Sequence, residues 1–462
     1  MMRKAIYTFG FLLPPLFIGV LFALSYLSEI LILPESPPLD PADQKVLLKI
    51  PSINPQKKTA WILLSERGTQ ITDALLAFSE LSKPDSPFQV FFVAPKKEPL
   101  PLTGGLSVIP HFSYLNAPPP DLIVIPSLIA VDKSPYVEFF KQNHFPLIVA
   151  LGEGVQLLGI SGLLENKTAT THFYAFKKMK TLFPKTNWTL KKPWVQDGNI
   201  ITSTGLLTTP LAIQRAIELI NHPTTAPQTI TYSETPFLFP EQKINFSDLR
   251  TLFWNAAYHW RREERALWME NGVAEDDLAV MIDPVLRTFR TRLVIVAEHL
   301  SPIFSKNGAT LIPQLALKDL PSVDSLWIAP ISSSDSLTDS SFSPRWKQFQ
   351  NIFSQKAKTT LTLTDTKKEV FEQIAANNGL STVHVVAKMM APPQNPTLLT
   401  QWKKATQYRS FDWMPWLRIC ALSLGGLLLV WGFERRILRR KLTPNNSNNK
   451  KIFRNDFNNN RQ

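Results

Sequence analysis

The stretch Leu147 to Phe173, LIVALGEGVQLLGISGLLENKTATTHF, holds residue types in an order from which a reactive site could be built. An apolar run enters a tight Gly152-Glu153-Gly154 turn, a helical segment follows, and the stretch closes on Thr170-Thr171-His172. In an α/β enzyme a nucleophile sits on such a strand-to-helix turn. Here that position is Gly152, which has no side chain. Glu153 could act as nucleophile or base, but it lies one residue along and would point differently from the apex. Its plainer reading is a rim carboxylate favoured by the nearby helix N-terminus. Asp73, in QITDALLAF, reads either as the N-cap of the helix that follows, with Thr72 competing, or as a pocket-lining carboxylate. His172 reads as a loop histidine bonded to backbone, or as the partner of Asp73 in an acid–base pair acting on water. His111, His144, His222, His259, His299 and His384 are scattered without metal-ligand spacing, so no metal and no cofactor is expected.

These groups need elements to position them, and the apolar runs supply candidates. TAWILLS, FQVFFVAP, DLIVIPS and PLIVAL read as strands, with helical spacing in TDALLAFSEL, SPYVEFFKQNH and TPLAIQRAIELIN between and after them. Strands this apolar, alternating with helices, predict a parallel sheet covered on both faces. WVQDGNIITST reads as a two-stranded patch, and Gly104-Gly105 as a turn between strands because it lacks the Lys-Ser/Thr of a phosphate loop. From Ser233, SDLRTLFWNAAYHWRREERALWMENG and EDDLAVMIDPVLRTFRTRL look helical, while RLVIVAE, SLWIAPI and KTTLTLTD look like strands. That predicts a second, degenerate α/β segment over 233–400, with WRREER as a solvated helix face carrying opposite charges at i,i+4 spacing. The serine-rich 332–341 reads as an exposed loop, the Pro-rich 34–58 as a linker, and the Asn-rich 434–462 as disordered. No repeat of short period is visible.

The formal charge of +13 sits at the ends. Arg3 and Lys4 precede one uncharged run from Ala5 to Ser28. Beyond Phe433, nine Lys/Arg stand against Glu434 and Asp456, which leaves the middle of the chain at about +4. A nucleic-acid partner is therefore not expected. The runs at 1–33 and 413–433 are long enough to span a bilayer, with Arg418 near one end and Trp413, Trp416 and Trp431 suited to the interfaces. Basic residues outside each run place both termini in the cytoplasm and residues 34–412 beyond an inner, cytoplasmic membrane, in the periplasm. A cleaved signal peptide is the alternative for the first run. The single cysteine, Cys420, lies in the second run, so the exported part has no thiol and no disulfide.

The ordered string GVQLLGISGLLENKTATTHF, LFPKTNW and VQDGNIITSTGLLTTPLAIQRAIELI resembles the ThiJ/PfpI group of the class I glutamine amidotransferase-like superfamily. It is most similar to the sensor-like domains of AraC-type regulators, and the likeness spans about Lys58 to Asn221. The resemblance implies a flavodoxin-like sandwich over 59–232. It implies an elbow cysteine, here replaced by Gly152, a supporting carboxylate at Asp73 and a histidine at His172. The family's PGG loop, whose amides help form an oxyanion hole, reads Pro126-Ser127-Leu128. Self-association as a homodimer is implied in the same way. The AraC-type DNA-binding partner domain is missing.

The expectation is a membrane-anchored amidotransferase-like pseudoenzyme that binds a small ligand or an envelope protein without covalent catalysis. Asp73, Ser127, Gly152, Glu153 and His172 would line its crevice. Two rivals stand beside it: a hydrolase or lyase using Asp73 and His172, and a structural component of an envelope complex that works through 233–400.

Overall fold

Runs of branched and aromatic residues become strands because their side chains pack well on a pleated surface, and here LIVI (122–125) and IVAL (148–151) are buried along their whole length. The computed structural model describes residues 2–31, 36–41, 43–48, 51–131, 134–142, 145, 147–222, 231–232, 243–258, 262–331, 349–362, 366–390, 396–405 and 414–442. The serine-rich 332–341 and the tail beyond 442 lie outside them, while 434–442, read from the sequence as part of the disordered tail, belong to a helix that runs to Leu442. The chain divides into two units: one of 1–26, 256–260 and 410–462, the other of 27–255 and 261–409.

The larger unit holds two α/β lobes. The first contains β1 (Lys58–Leu63), β2 (Phe88–Ala94), β3 (Leu100–Pro101), β4 (Ser107–Ile109), β5 (Phe112–Ser113), β6 (Leu122–Ile125) and β7 (Ile148–Leu151). Then come the short pair β8 (Thr168–Ala169) and β9 (Asn187–Trp188), and the three strands β10 (Trp194–Asp197), β11 (Ile200–Ser203) and β12 (Thr231–Tyr232). Eight of these form one sheet, in the order β12-β10-β11-β7-β6-β1-β2-β5, parallel except for β10 against its two neighbours. WVQDGNIITST is the expected hairpin, closed at Gly198 with φ 65°. Gly104 and Gly105, both at φ 90°, make the expected turn between β3 and β4.

The second lobe contains β13 (Glu263–Trp268), β14 (Thr291–Ala297), β15 (Ile303–Phe304), β16 (Thr310–Ile312), β17 (Leu315–Ala316), β18 (Val323–Ile328) and β19 (Ala357–Thr362). Its parallel sheet runs β17-β14-β13-β18-β19. One expectation fails here. The WRREER region is no solvated helix face, because Glu263–Trp268 is the central strand of this sheet. Arg265 is 2% exposed, its guanidinium 3.9 Å from the Trp327 ring and bonded to Ser325 and Glu263. Periodicity alone could not reveal that pairing, since a charged residue at a buried strand position looks like a polar helix face.

The second lobe repeats the first. Its strand order matches β5-β2-β1-β6-β7 position for position. Leu64 N–H donates to the Val93 carbonyl in one lobe, as Met269 N–H does to Val296 in the other. Each central strand leads through a short loop, seven residues in one lobe and six in the other, into a helix: Ile71–Leu81 (α2) after N-cap Gln70, and Glu275–Leu286 (α6) after N-cap Ala274. Between them in the chain lie Val155–Ile160 (α3), Thr209–Asn221 (α4) and Phe246–Tyr258 (α5). Thr366–Asn378 (α7) and Leu380–Met390 (α8) follow α6.

Hairpins β3-β4 and β15-β16 join edge to edge through antiparallel pairing of β4 with β16. In GLSVIP and GATLIP the equivalent residues Val108 and Leu311 pair with each other, and the flanking pairs Ile109↔Thr310 and Ser107↔Ile312 exchange under the same equivalence. That is the pattern of a local two-fold axis. α2 packs on α6 across the same seam, and a single apolar core containing Leu75, Phe78, Leu278 and Ile282 runs through it.

In the smaller unit, Met2–Leu31 (α1) and Met414–Leu442 (α9) include Ile6–Leu24 and Trp416–Arg436, which are long and apolar enough to cross a membrane.

Candidate functional site

β7 ends at Leu151, and the chain turns through Gly152 into α3. Gly152 takes φ +53°, the left-handed region that costs a side-chain-bearing residue free energy. This is the sharp bend of a nucleophile elbow, with nothing on its apex. The space above it is filled. A Cβ at position 152 would stand 2.5 Å from Ser127 Oγ and 3.4 Å from Asp73 Oδ2. Ser127, at the end of β6, accepts the Glu153 N–H at 2.9 Å and donates to Asp73 Oδ2 at 2.9 Å. The amide after the elbow, which would serve an oxyanion, is thus already bonded to a hydroxyl.

Asp73 is fully buried. It is not the N-cap of its own helix, and neither is Thr72, since α2 starts at Ile71 behind Gln70. It reaches instead to the entry of α4. Its Oδ1 accepts from Leu206 N–H at 2.6 Å and Thr209 Oγ1 at 3.3 Å, and its Oδ2 from Ser127 N–H at 3.2 Å. Burial pushes its carboxyl up, and the bonds from Leu206 and Ser127 pull the other way. The second lobe has the same device in reduced form: Asp277, third residue of α6, takes the hydroxyl of Thr366, first residue of α7. A carboxylate tying a helix start in both lobes is a structural clamp before it is anything else.

His172 is 1% exposed, and its Nε2–H donates to the Met389 carbonyl of α8 at 2.7 Å. Nδ1 therefore carries the lone pair, buried without a hydrogen-bond partner. Burial first, then the nearby Arg287 charge, hold the ring down to about 3. No hydrogen bond among the described residues joins His172 to Asp73. The ring faces the second lobe, and its neighbours there escaped the sequence reading. Asp283 of α6 accepts from Gln70 at 2.6 Å and Thr72 at 2.7 Å, and is paired with Arg287 at 2.9 Å. Nothing in the sequence linked Thr72 to Asp283, because the contact exists only where two repeats meet. Glu153 is half-buried and paired with Lys178 at 3.1 Å.

A groove of about 550 Å³ lies elsewhere, where β2, β4 and the β15-β16 hairpin meet the segment around Val46 and Pro51. His111 and Lys97 line it, with Phe91 and Phe304 as walls. The Phe92 N–H donates to His111 Nδ1 at 2.9 Å, and burial holds that ring down to about 4. No group of three or more His, Cys, Asp or Glu suited to a metal occurs among the described residues.

A parallel sheet covered by helices, with a strand-to-helix elbow facing a carboxylate from the first strand–helix junction, defines the flavodoxin-like class that the string of motifs implied. The DJ-1/PfpI family profile matches residues 58–219, and this part of the chain is a DJ-1/PfpI family domain. The fold is similar to a ThiJ/PfpI family protein of Pseudomonas syringae, at 17% identity and TM-score 0.32 over 37% of this chain and 75% of that one. DJ-1beta of Drosophila melanogaster is similar at 20% identity and TM-score 0.31, over 35% of this chain and 89% of that one. A DJ-1 superfamily protein of Agrobacterium tumefaciens gives 22% identity and TM-score 0.31, over 35% and 90%. No curated protein sequence matches the chain.

Proposed function

We propose that this chain is a membrane-anchored, extracytoplasmic pseudoenzyme, a DJ-1/PfpI-type domain kept as a binding scaffold without covalent catalysis. One observation carries the reading: Ser127 Oγ fills the place where an elbow side chain would project, and it occupies both the Glu153 amide and the Asp73 carboxylate. A nucleophile, an oxyanion donor and a supporting carboxylate are the three parts such an elbow needs. The first is missing and the other two are bonded to one hydroxyl. The hydrolase reading needs Asp73 and His172 to meet at solvent. Their burial, and the bond of His172 to Met389, weigh against it. Small ligand or protein, the partner then meets surfaces outside the filled elbow, and the groove around His111 and Lys97 has the volume of a small-molecule site. The charge at the two ends and the two apolar helices support an inner-membrane anchor with 34–412 outside the cytoplasm.

The test is turnover by the detergent-solubilised full chain on a panel of esters, amides and 2-oxoaldehydes. Wild type is expected to be inert, and Gly152→Cys to remain inert because its Cβ meets Ser127. Turnover abolished by Asp73→Ala or His172→Ala would overturn the proposal.

A further inference from the structure

Ordinary water-facing helices bury large apolar residues and expose small polar ones, and α1 and α9 do the opposite. Leu13, Phe17, Leu428 and Leu429 are 51%, 64%, 65% and 75% exposed, while Gly19, Ser423 and Gly426 are buried. In water that arrangement is costly. In lipid it is the expected one, because helices there associate through small residues and backbone contact.

The contacts between the two helices run in opposite senses. Near one end Tyr7 Oη donates to Glu434 Oε2 at 2.5 Å. Further along, Gly10 meets Val430 and Gly426. Past that, Tyr258 at the end of α5 donates to the Pro15 carbonyl at 3.1 Å, and its own carbonyl accepts from Arg418 at 2.7 Å. Gly19 lies against the same tyrosine.

The centre of this ladder has a backbone cause. Pro14 has no N–H, so the Gly10 carbonyl four residues earlier loses its helical donor. That carbonyl points at Gly426, where an added Cβ would come within 1.9 Å of the oxygen. Only glycine admits such an approach, which permits a Cα–H···O contact to the freed carbonyl. A neighbour only one position away, Gly425, has open space beside it.

From these contacts we infer that α1 and α9 form one antiparallel membrane hairpin, with α1 retained in the mature protein as the packing partner of α9. The inference rests on the membrane-anchor reading and adds that the first apolar segment is not a removable leader.

In a full chain carrying Cys420→Ser, the pair Gly10→Cys and Val430→Cys tests it. The built Cβ of position 10 lies 3.4 Å from Val430 Cβ, close to disulfide spacing. Mild oxidation of isolated membranes is expected to give the linked peptide, read by mass. The yield should exceed that of Gly10→Cys with outward-facing Leu429→Cys by about tenfold. Gly426→Leu should abolish the link and Gly425→Leu should leave it. Equal yields for the 430 and 429 pairs, or equal effects of the two leucines, overturn the hairpin. So does membrane-bound protein whose intact mass lacks residues 1–26. Protein found in the soluble fraction would instead overturn the anchor itself.

Discussion

His172 is neutral in the folded chain and would be free to protonate in the unfolded one. Its pKa is about 3 when buried, against 6.5 for an exposed imidazole. The unfolded state therefore binds more protons in that interval, so the contribution to stability is complete above pH 6.5 and declines as pH falls through 6.5 toward 3. The slope from this one group is about 1.4 kcal/mol per pH unit. His111, held down to about 4, adds in the same sense. Asp73, its carboxyl pushed up by burial, acts the other way, gaining stability as pH falls through its folded pKa toward the unfolded value of 3.8. Thermal midpoints of the full chain in detergent, followed by tryptophan fluorescence, should thus fall from pH 7 to pH 5. His172→Gln should remove one histidine's share of the slope. A variant whose midpoints run parallel to wild type would show that His172 does not hold this shift. The sequence made His172 and Asp73 visible as candidates. It could not reveal that each is tied off, because the Met389 carbonyl and the Leu206 amide lie 217 and 133 residues away.

Strands built of apolar residues were readable from pattern alone: β2, β6 and β7 fall within runs predicted as strands, and β1, β14, β18 and β19 overlap theirs but begin one or two residues earlier. β13 was not readable, because Arg265 is satisfied by Ser325 and Trp327 on the neighbouring strand β18, together with Glu263 on its own strand. α2 starts at Ile71, one residue ahead of the TDALLAFSEL run and ahead of either the Thr72 or the Asp73 cap, and its polar side chains are engaged across the seam. At that seam Asp283 accepts from Thr72 and Gln70 and holds Arg287, with only 7% and 18% of the two charged side chains exposed. Removing one member of a buried pair leaves the other charge uncompensated. Asp283→Ala should therefore destabilise the chain by about 3 kcal/mol. Arg287→Ala in the same background should add less than it costs alone, with a coupling of about 1 kcal/mol or more. Additive losses in denaturant unfolding would mean that the pair does not act as a unit.

The whole molecule is organised by a repeat that no short-period search could find, since its halves lie about two hundred residues apart. GLSVIP and GATLIP, and IVIPS and WIAPI, are its faint sequence trace. Structure makes it plain through strand order, through a helix that follows each central strand after a loop of six or seven residues, and through a carboxylate clamp present in both lobes. Two copies joined about a two-fold axis ordinarily come from two chains. Here one chain supplies both halves, and the seam is continuous apolar core rather than a surface left open. The self-association that the family resemblance implied has, at this face, an internal substitute: α6 covers α2, and β16 closes the free edge of β4. A second molecule would have to displace a lobe already present at very high effective concentration, a contest that the tethered lobe wins. The detergent-corrected molar mass of the purified full chain should accordingly be that of one copy, 52.4 kDa. Light scattering across a range of micromolar concentrations measures it. A stable particle of twice that mass, with hydrogen exchange protecting α2 no better than an exposed helix, would mean that the lobes part and exchange partners between chains.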